Sequence, residues 1–201
     1  MQIQEKMFMN IQIVDKEKLL EGQVYRHLCR YHWVCRELKR TMRVLDCGCG
    51  SGYGTQIISF KCENVIGIDG DKEAIEFAKR SYESDRLKFF NVDILSEWAE
   101  KNKESFDAIA CLEVIEHIPD TDKFMQSIHK LLRKNGFVMI STPSKRKDIV
   151  NPHHVKEFGA RDLVEKGYEY FQYVHTYNPY FLDIKPFKGQ NFILAKFWGK
   201  K

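Results

Sequence analysis

Three aspartates, each set behind a short apolar run, have the most chemistry to offer. Asp46 follows Val44 and Leu45, Asp69 closes Val65-Ile66-Gly67-Ile68, and Asp93 follows Asn91 and Val92. An acid in that position stands at the carboxyl end of a buried strand, the edge of an open α/β sheet where ligands bind. Asp69 lies 23 residues after Asp46, where an acid can accept hydrogen bonds from both hydroxyls of a ribose. Behind Asp46, Gly48, Gly50, Gly52 and Gly54 alternate with other residues up to Thr55. A strand therefore runs into a glycine-rich turn that opens a helix and lets the backbone approach a ligand closely. With Gly48 and Gly50 as the first two glycines of a G-x-G-x-x-G dinucleotide fingerprint, the third position is Tyr53, so the fingerprint fails. A carboxylate beside the turn would also repel a pyrophosphate. The pattern points to a nucleotide-type cofactor that carries an ammonium. The bland alternative is that each acid caps a helix or forms a turn.

Alternating elements must position these residues. Strands are expected at 43–47, at Asn64–Asp69, at Leu87–Val92, at Phe106–Cys111 and at Gly136–Thr142. Helices are expected between them, from about Tyr53, over 71–79 with Asp71 as N-cap, and with Phe124, Ile128, Leu131 and Leu132 on one face. Such alternation implies a parallel sheet. Ahead of it, Leu19, Leu20, Val24, Leu28, Tyr31 and Val34 recur near helical spacing between Asp15 and Leu38. Beyond Thr142 a loop runs to about Gly159, followed by a helix from Ala160. Two late strands, Tyr170–Tyr177 and Gln190–Trp198, read as an antiparallel edge hairpin, joined by the aromatic connection Asn178–Gly189.

The chain has 201 residues, 43% of them hydrophobic, enough for one α/β core. We expect a single domain over 1–201, with a helical cap at 1–40 and the sheet at 41–201. A net charge of +4 permits an anionic substrate but falls short of a nucleic-acid-binding signature. No segment approaches the roughly 18 apolar residues of a membrane span, and the N-terminus shows no apolar leader, so a cytoplasmic protein is expected. Cys29, Cys35, Cys47, Cys49, Cys62 and Cys111 form no C-x-x-C pair and read as free thiols.

The D-x-G-x-G-x-G spacing, with the acid just before the turn, resembles motif I of class I S-adenosylmethionine-dependent methyltransferases. The likeness extends through NVIGIDGDKEAIEFAK, FFNVDIL, FDAIACLEVIEHIPD and LLRKNGFVMISTPS, in the motif order of that family. It implies an α/β, Rossmann-like fold whose seven-stranded, mainly parallel sheet has the order 3-2-1-4-5-7-6, with helices on both faces. The cofactor implied is S-adenosylmethionine, bound by Arg30, Tyr31, Asp46, Gly48, Cys49, Gly50, Tyr53, Asp69, Gly70, Asp93, Ile94 and Leu112. Within that set Asp93 and the backbone beside it meet the adenine. Arg30 and Tyr31, from an H-x-x-R-Y segment like that preceding motif I in relatives of glycan or lipid pathways, meet the cofactor's carboxylate. Their plainer reading is a helix that packs its Tyr and solvates its Arg. One departure is Ser144, where many relatives read T-P-N.

Glu113-Val114-Ile115-Glu116-His117 follows the fourth strand, and Asn151-Pro152-His153-His154 follows the fifth. Similar residues bind a divalent cation in ubiquinone-biosynthesis O-methyltransferases, with E-x-x-E-H, and in small-RNA 3′-terminal 2′-O-methyltransferases. Residues at i, i+3 and i+4 share a face if the segment turns helical, so Glu113, Glu116, His117 and His154 form a candidate metal set. Its imidazoles favour Mn²⁺, Fe²⁺ or Zn²⁺ over Mg²⁺. Without metal, E-V-I-E-H caps a helix and lines the pocket, and His117, Glu116 or a histidine at 153 or 154 is left as the acid–base group. The resemblance implies methyl transfer, which we expect to go to a hydroxyl oxygen of a small molecule or glycan. RNA 2′-O-methylation and a non-catalytic S-adenosylmethionine-binding subunit are the alternatives, and nicotinamide dehydrogenation a more distant one. Tyr177, Tyr180 and Phe181 are candidate walls of the acceptor mouth, Lys145-Arg146-Lys147 could greet an anion, and a homodimer is an open possibility.

Overall fold

Apolar runs become strands here because both faces of the sheet are covered, so that each strand buries its residues in two directions at once. The computed structural model describes residues 22–145, 154–177 and 192–201. Helix α1 (Gly22–Glu37) leads into β1 (Arg43–Cys47), α2 (Tyr53–Ser59), β2 (Asn64–Asp69), α3 (Lys72–Tyr82), β3 (Leu87–Asn91) and α4 (Trp98–Lys101). There follow β4 (Phe106–Leu112), a 3-10 turn (Ile115–His117), α5 (Thr121–Leu131), β5 (Leu132–Pro143), α6 (Ala160–Tyr170), β6 (Phe171–Tyr177) and β7 (Phe192–Lys200). The seven strands lie in the order β3-β2-β1-β4-β5-β7-β6, as expected. β7 runs antiparallel to both its neighbours, β5 and β6, while β1 to β5 pair in parallel.

Alternation along the strands sorts the core into two layers. Ala108, Ala110 and Leu112 of β4 pack with Tyr31, Trp33 and Val34 of α1, Ile57 and Ile58 of α2, and Ile75 and Ala78 of α3. Ile109 and Cys111 face the opposite way, onto Phe124, Ile128 and Leu131 of α5 and Leu163 of α6. Helices α3 and α5 start where an aspartate side chain satisfies their first N–H groups. Asp71 accepts from the backbone of Glu73 and Ala74 ahead of α3, and Asp120 from that of Lys123 ahead of α5. Register brings the carboxyl ends of four strands level, with Cys47 opposite both Ile68 and Cys111, and Asp69 opposite Asn91.

Some boundaries differ from those expected. β5 begins at Leu132, not Gly136, because Leu132 pairs with Phe106 before a register shift carries the ladder on to Ala108–Phe137. Leu132 is thus a strand residue and not the end of the α5 face. The first late strand starts one residue later than expected and ends at Tyr177 as expected, the second lies two residues later, and α4 is additional to the expected elements. None of the six cysteines is in a disulfide. Leu19 and Leu20, the Arg146–His153 part of the loop after β5, and the connection Asn178–Gly189 with Tyr180 and Phe181 lie outside the described residues. Among the described residues no helix is long and apolar enough to cross a membrane.

Candidate functional site

The glycine turn is tied to β2 and opens onto a cleft. The N–H groups of Gly48 and Cys49 both donate to the Ile68 carbonyl, at 2.8 and 3.0 Å. Gly52 caps α2 with φ 85°, and a Cβ there would lie 2.6 Å from Ala78 Cβ and 2.8 Å from the Phe89 ring. Another residue would strain the backbone and collide with the core. Gly50 and Gly70 differ, because a Cβ on either would meet nothing within 4 Å. The cleft beside them has a volume of about 350 Å³ and is lined by Cys47, Gly48, Ile68, Asp69, Gly70, Val92, Asp93, Ile94, Glu113, Val114, His117 and Ile118.

Two of the three aspartates present themselves there. Asp69 accepts the N–H of Gly50 on Oδ2 and that of Asp71 on Oδ1, both at 2.8 Å. These bonds fix the carboxylate while leaving each oxygen a further lone pair. Asp93 accepts from the Leu95 N–H at 2.8 Å and is exposed. Asp46 is placed otherwise. It is fully buried, absent from the cleft lining, and takes hydrogen bonds from Thr55 Oγ1 at 2.7 Å and from the Tyr31 hydroxyl at 3.2 Å on the same oxygen. Burial pushes its carboxyl up to about 7 against the pull of both donors, and Asp69 adds to the rise.

Helix α1 supplies the other side. Arg30, 4% exposed, pairs with Glu113 through Nη2–Oε2 at 2.7 Å and Nε–Oε1 at 3.3 Å. Its guanidinium lies over the Phe192 ring, 4.8 Å from the centroid, and its Nη1 is buried without an acceptor. Glu113 holds a left-handed backbone, φ 60°. It is kept there by its N–H to the Ser141 carbonyl at 3.0 Å and by the Ser141 hydroxyl, which donates to Oε1 at 2.8 Å. Burial works against the Glu113 carboxylate, but Arg30 and Ser141 outweigh it and hold its pKa below the usual value. Tyr53 packs edge-on against Tyr31, with centroids 5.9 Å apart. Cys49 and Leu112 are buried in the core layer under the turn.

A second cluster forms where the segment before α6 returns to the 3-10 turn. The N–H groups of Val155 and Lys156 donate to the Glu116 carbonyl, at 2.9 and 3.2 Å, which brings His154 to His117 with ring centroids 5.2 Å apart. Glu116, His117 and His154 each offer one ligand atom, all within 4.8 Å of one another. Glu116 is 1% exposed; its Oε2 accepts from Thr142 Oγ1 at 3.0 Å and its Oε1 has no partner. Burial and the neighbouring Glu113 push this carboxyl up to about 7. Of the four candidate ligands three come together, while Glu113 is engaged by Arg30 and Ser141. The hydroxyls that hold the acids, Thr55, Ser141 and Thr142, were missed in the sequence. The signal in the sequence is that Ser141 and Thr142 close the apolar run Phe137–Ile140 at its carboxyl end, and in the structure both are fully buried.

A family described as a methyltransferase domain matches residues 38–174. A ubiquinone biosynthesis O-methyltransferase from Pelagibacter ubique is 36% identical over 106 residues, covering 53% of this chain and 44% of that protein. A probable S-adenosylmethionine-dependent methyltransferase from Mycolicibacterium smegmatis is 30% identical over 128 residues, covering 61% of this chain and 48% of its own length. The chain therefore spans less than half the length of these two relatives. Among solved structures, YcgJ from Bacillus subtilis superposes with a TM-score of 0.67 at 17% identity, over 87% of this chain and 100% of that one, a likeness of fold.

Proposed function

Because the chain belongs to the class I S-adenosylmethionine-dependent methyltransferase family, we propose that it transfers the methyl group of S-adenosylmethionine to a hydroxyl oxygen of a small molecule or glycan. S-adenosylmethionine is the cosubstrate the family implies. The observation that carries the reading is the cleft itself: open backbone at Gly50 and Gly70 beside two accessible carboxylates, Asp69 and Asp93, at successive strand ends. Asp69 takes the ribose hydroxyls, Asp93 and Ile94 the adenine, and the turn from Gly48 to Gly50 the amino-acid part. The buried, unsatisfied Nη1 of Arg30 is the donor for the cofactor's carboxylate, because an unpaired buried donor is costly until an acceptor arrives. Methyl transfer is an in-line displacement at a sulfonium, so the protein's task is to align the acceptor oxygen, take its proton and keep water out. Glu116, His117 and His154 are the groups available to take the proton.

The same three residues fit a divalent cation. Two imidazoles and a carboxylate suit Mn²⁺, Fe²⁺ or Zn²⁺, and the unpartnered Oε1 of Glu116 is a donor atom with nothing else to bind. A bound cation would lower the pKa of an acceptor hydroxyl. Mass spectrometry of the purified protein for bound S-adenosylhomocysteine, followed by a labelled-methyl screen of hydroxylated acceptors, tests the reaction. No labelled product from any acceptor, with the cofactor bound, would favour a non-catalytic subunit. Exhaustive EDTA treatment with Mn²⁺ add-back tests the cation. Activity that survives chelation, with Glu116→Gln turning over normally, would remove it and leave His154 as the direct base.

A further inference from the structure

We infer that Tyr31 is a positioning residue for the cofactor turn, acting through Asp46 and Gly54 and not by touching the cofactor. The inference rests on the functional reading above. Tyr31 is 5% exposed and faces the underside of the turn. A Cβ on Gly54 would lie 1.9 Å from Tyr31 Cζ and 2.1 Å from Cε2, so the ring lies against the backbone of the first turn of α2. Its hydroxyl donates to Asp46 Oδ2 at 3.2 Å, the oxygen that also accepts from Thr55 at 2.7 Å. One carboxylate oxygen thus joins α1, the end of β1 and the start of α2. The residues so held, Asp46 and Thr55, flank the glycine turn, whose Gly48 lines the cleft. Burial and the neighbouring Asp46 raise the Tyr31 pKa well above its ordinary value, so the hydroxyl stays protonated and remains a donor.

The adjacent residue works in the same manner on the adjacent strand. Arg30 holds Glu113 just beyond the end of β4, and β4 pairs directly with β1. Consecutive residues of α1 therefore fix acids at the ends of two neighbouring strands, and docking of α1 sets the shape of the cofactor cleft. Arg30 keeps one free donor for a ligand. Tyr31 keeps none, because its single hydroxyl proton is committed to Asp46.

The test uses S-adenosylhomocysteine as probe, by calorimetry on the full chain with melting curves to verify folding. Tyr31→Phe keeps the ring against Gly54 and loses only the bond to Asp46; it should weaken binding roughly tenfold. Thr55→Val should do the same and Thr55→Ser should restore binding. In an Asp46→Ala background, which removes the shared acceptor, Tyr31→Phe should change affinity by less than about twofold, since residues acting through one shared partner are not additive. A direct contact with the cofactor would instead keep its full effect there and overturn the inference.

The pH profile gives a second reading. Asp46 is faced by Tyr31 and Cys35 from α1, Cys49 from the turn, Tyr53 and Thr55 from α2, Asp69 from β2 and Cys111 from β4. Because the Tyr31 donor holds the Asp46 pKa down, Tyr31→Phe should move upward the inflection that Asp46→Asn removes from the binding profile, and an unmoved inflection counts against the inference. If the wild-type chain does not bind S-adenosylhomocysteine, the functional reading fails. If it binds and Tyr31→Phe binds equally well, only the inference fails.

Discussion

Burial pushes the Asp46 carboxyl up to about 7 in the folded chain although Thr55 and Tyr31 donate to it, against roughly 3.9 in an unfolded one. A carboxyl whose folded pKa lies above the unfolded value gives stability that is fully present below pH ~4 and is lost as the pH rises through about 7. Asp46→Asn keeps an oxygen for Thr55 and Tyr31 to donate to, and removes that titration. It should therefore melt higher than the wild type at pH 8 while the two converge at pH 4, when melting curves of the ligand-free proteins are compared. Asp69 is held instead by two N–H donors at the cleft surface. These roles were only partly legible in the sequence. The acids could be read because each follows an apolar run. That Asp46 turns away from the cleft could not, because its partner Tyr31 stands on a separate element, and the Arg30–Glu113 pair joins residues 83 apart.

Elements were legible where one pattern decided them. β1, β2 and β4 are mostly apolar runs, and α3 has both a cap at Asp71 and a buried face of Ile75, Ala78 and Tyr82. The start of β5 was not, since Arg133-Lys134-Asn135-Gly136 has the composition of a turn and is drawn into the strand by the Phe106–Leu132 pairing. At this scale α5 offers the plainest test of packing. Phe124 is fully buried in the layer it shares with Ile109 and Cys111. Truncation leaves a cavity that the rigid sheet cannot close, so Phe124→Ala should cost about 3–5 kcal/mol in chemical denaturation. The turn answers differently. Gly52→Ala meets both a positive φ and the Phe89 ring, and should lower both the melting temperature and the affinity for S-adenosylhomocysteine. A variant with normal affinity would show that the turn does not need the left-handed residue.

For the whole molecule, the strand order and the family expected from motif order are those of the structure and of the relatives it resembles. Motif order carried that much because parallel strands joined by helices leave few topologies open. The acceptor was beyond reach for a physical reason. Acceptor selection commonly falls to loops, and loop segments carry no periodic pattern from which contacts could be derived. The central claim, a cleft built for S-adenosylmethionine, is tested most directly by calorimetric titration of S-adenosylhomocysteine into the wild type and Asp69→Ala, with NAD as the comparison ligand. The wild type should bind S-adenosylhomocysteine and not NAD, and Asp69→Ala should lose about 1.5–3 kcal/mol of affinity, the worth of hydrogen bonds to a charged group. Tight NAD binding, or an affinity for S-adenosylhomocysteine unchanged by Asp69→Ala, would contradict it.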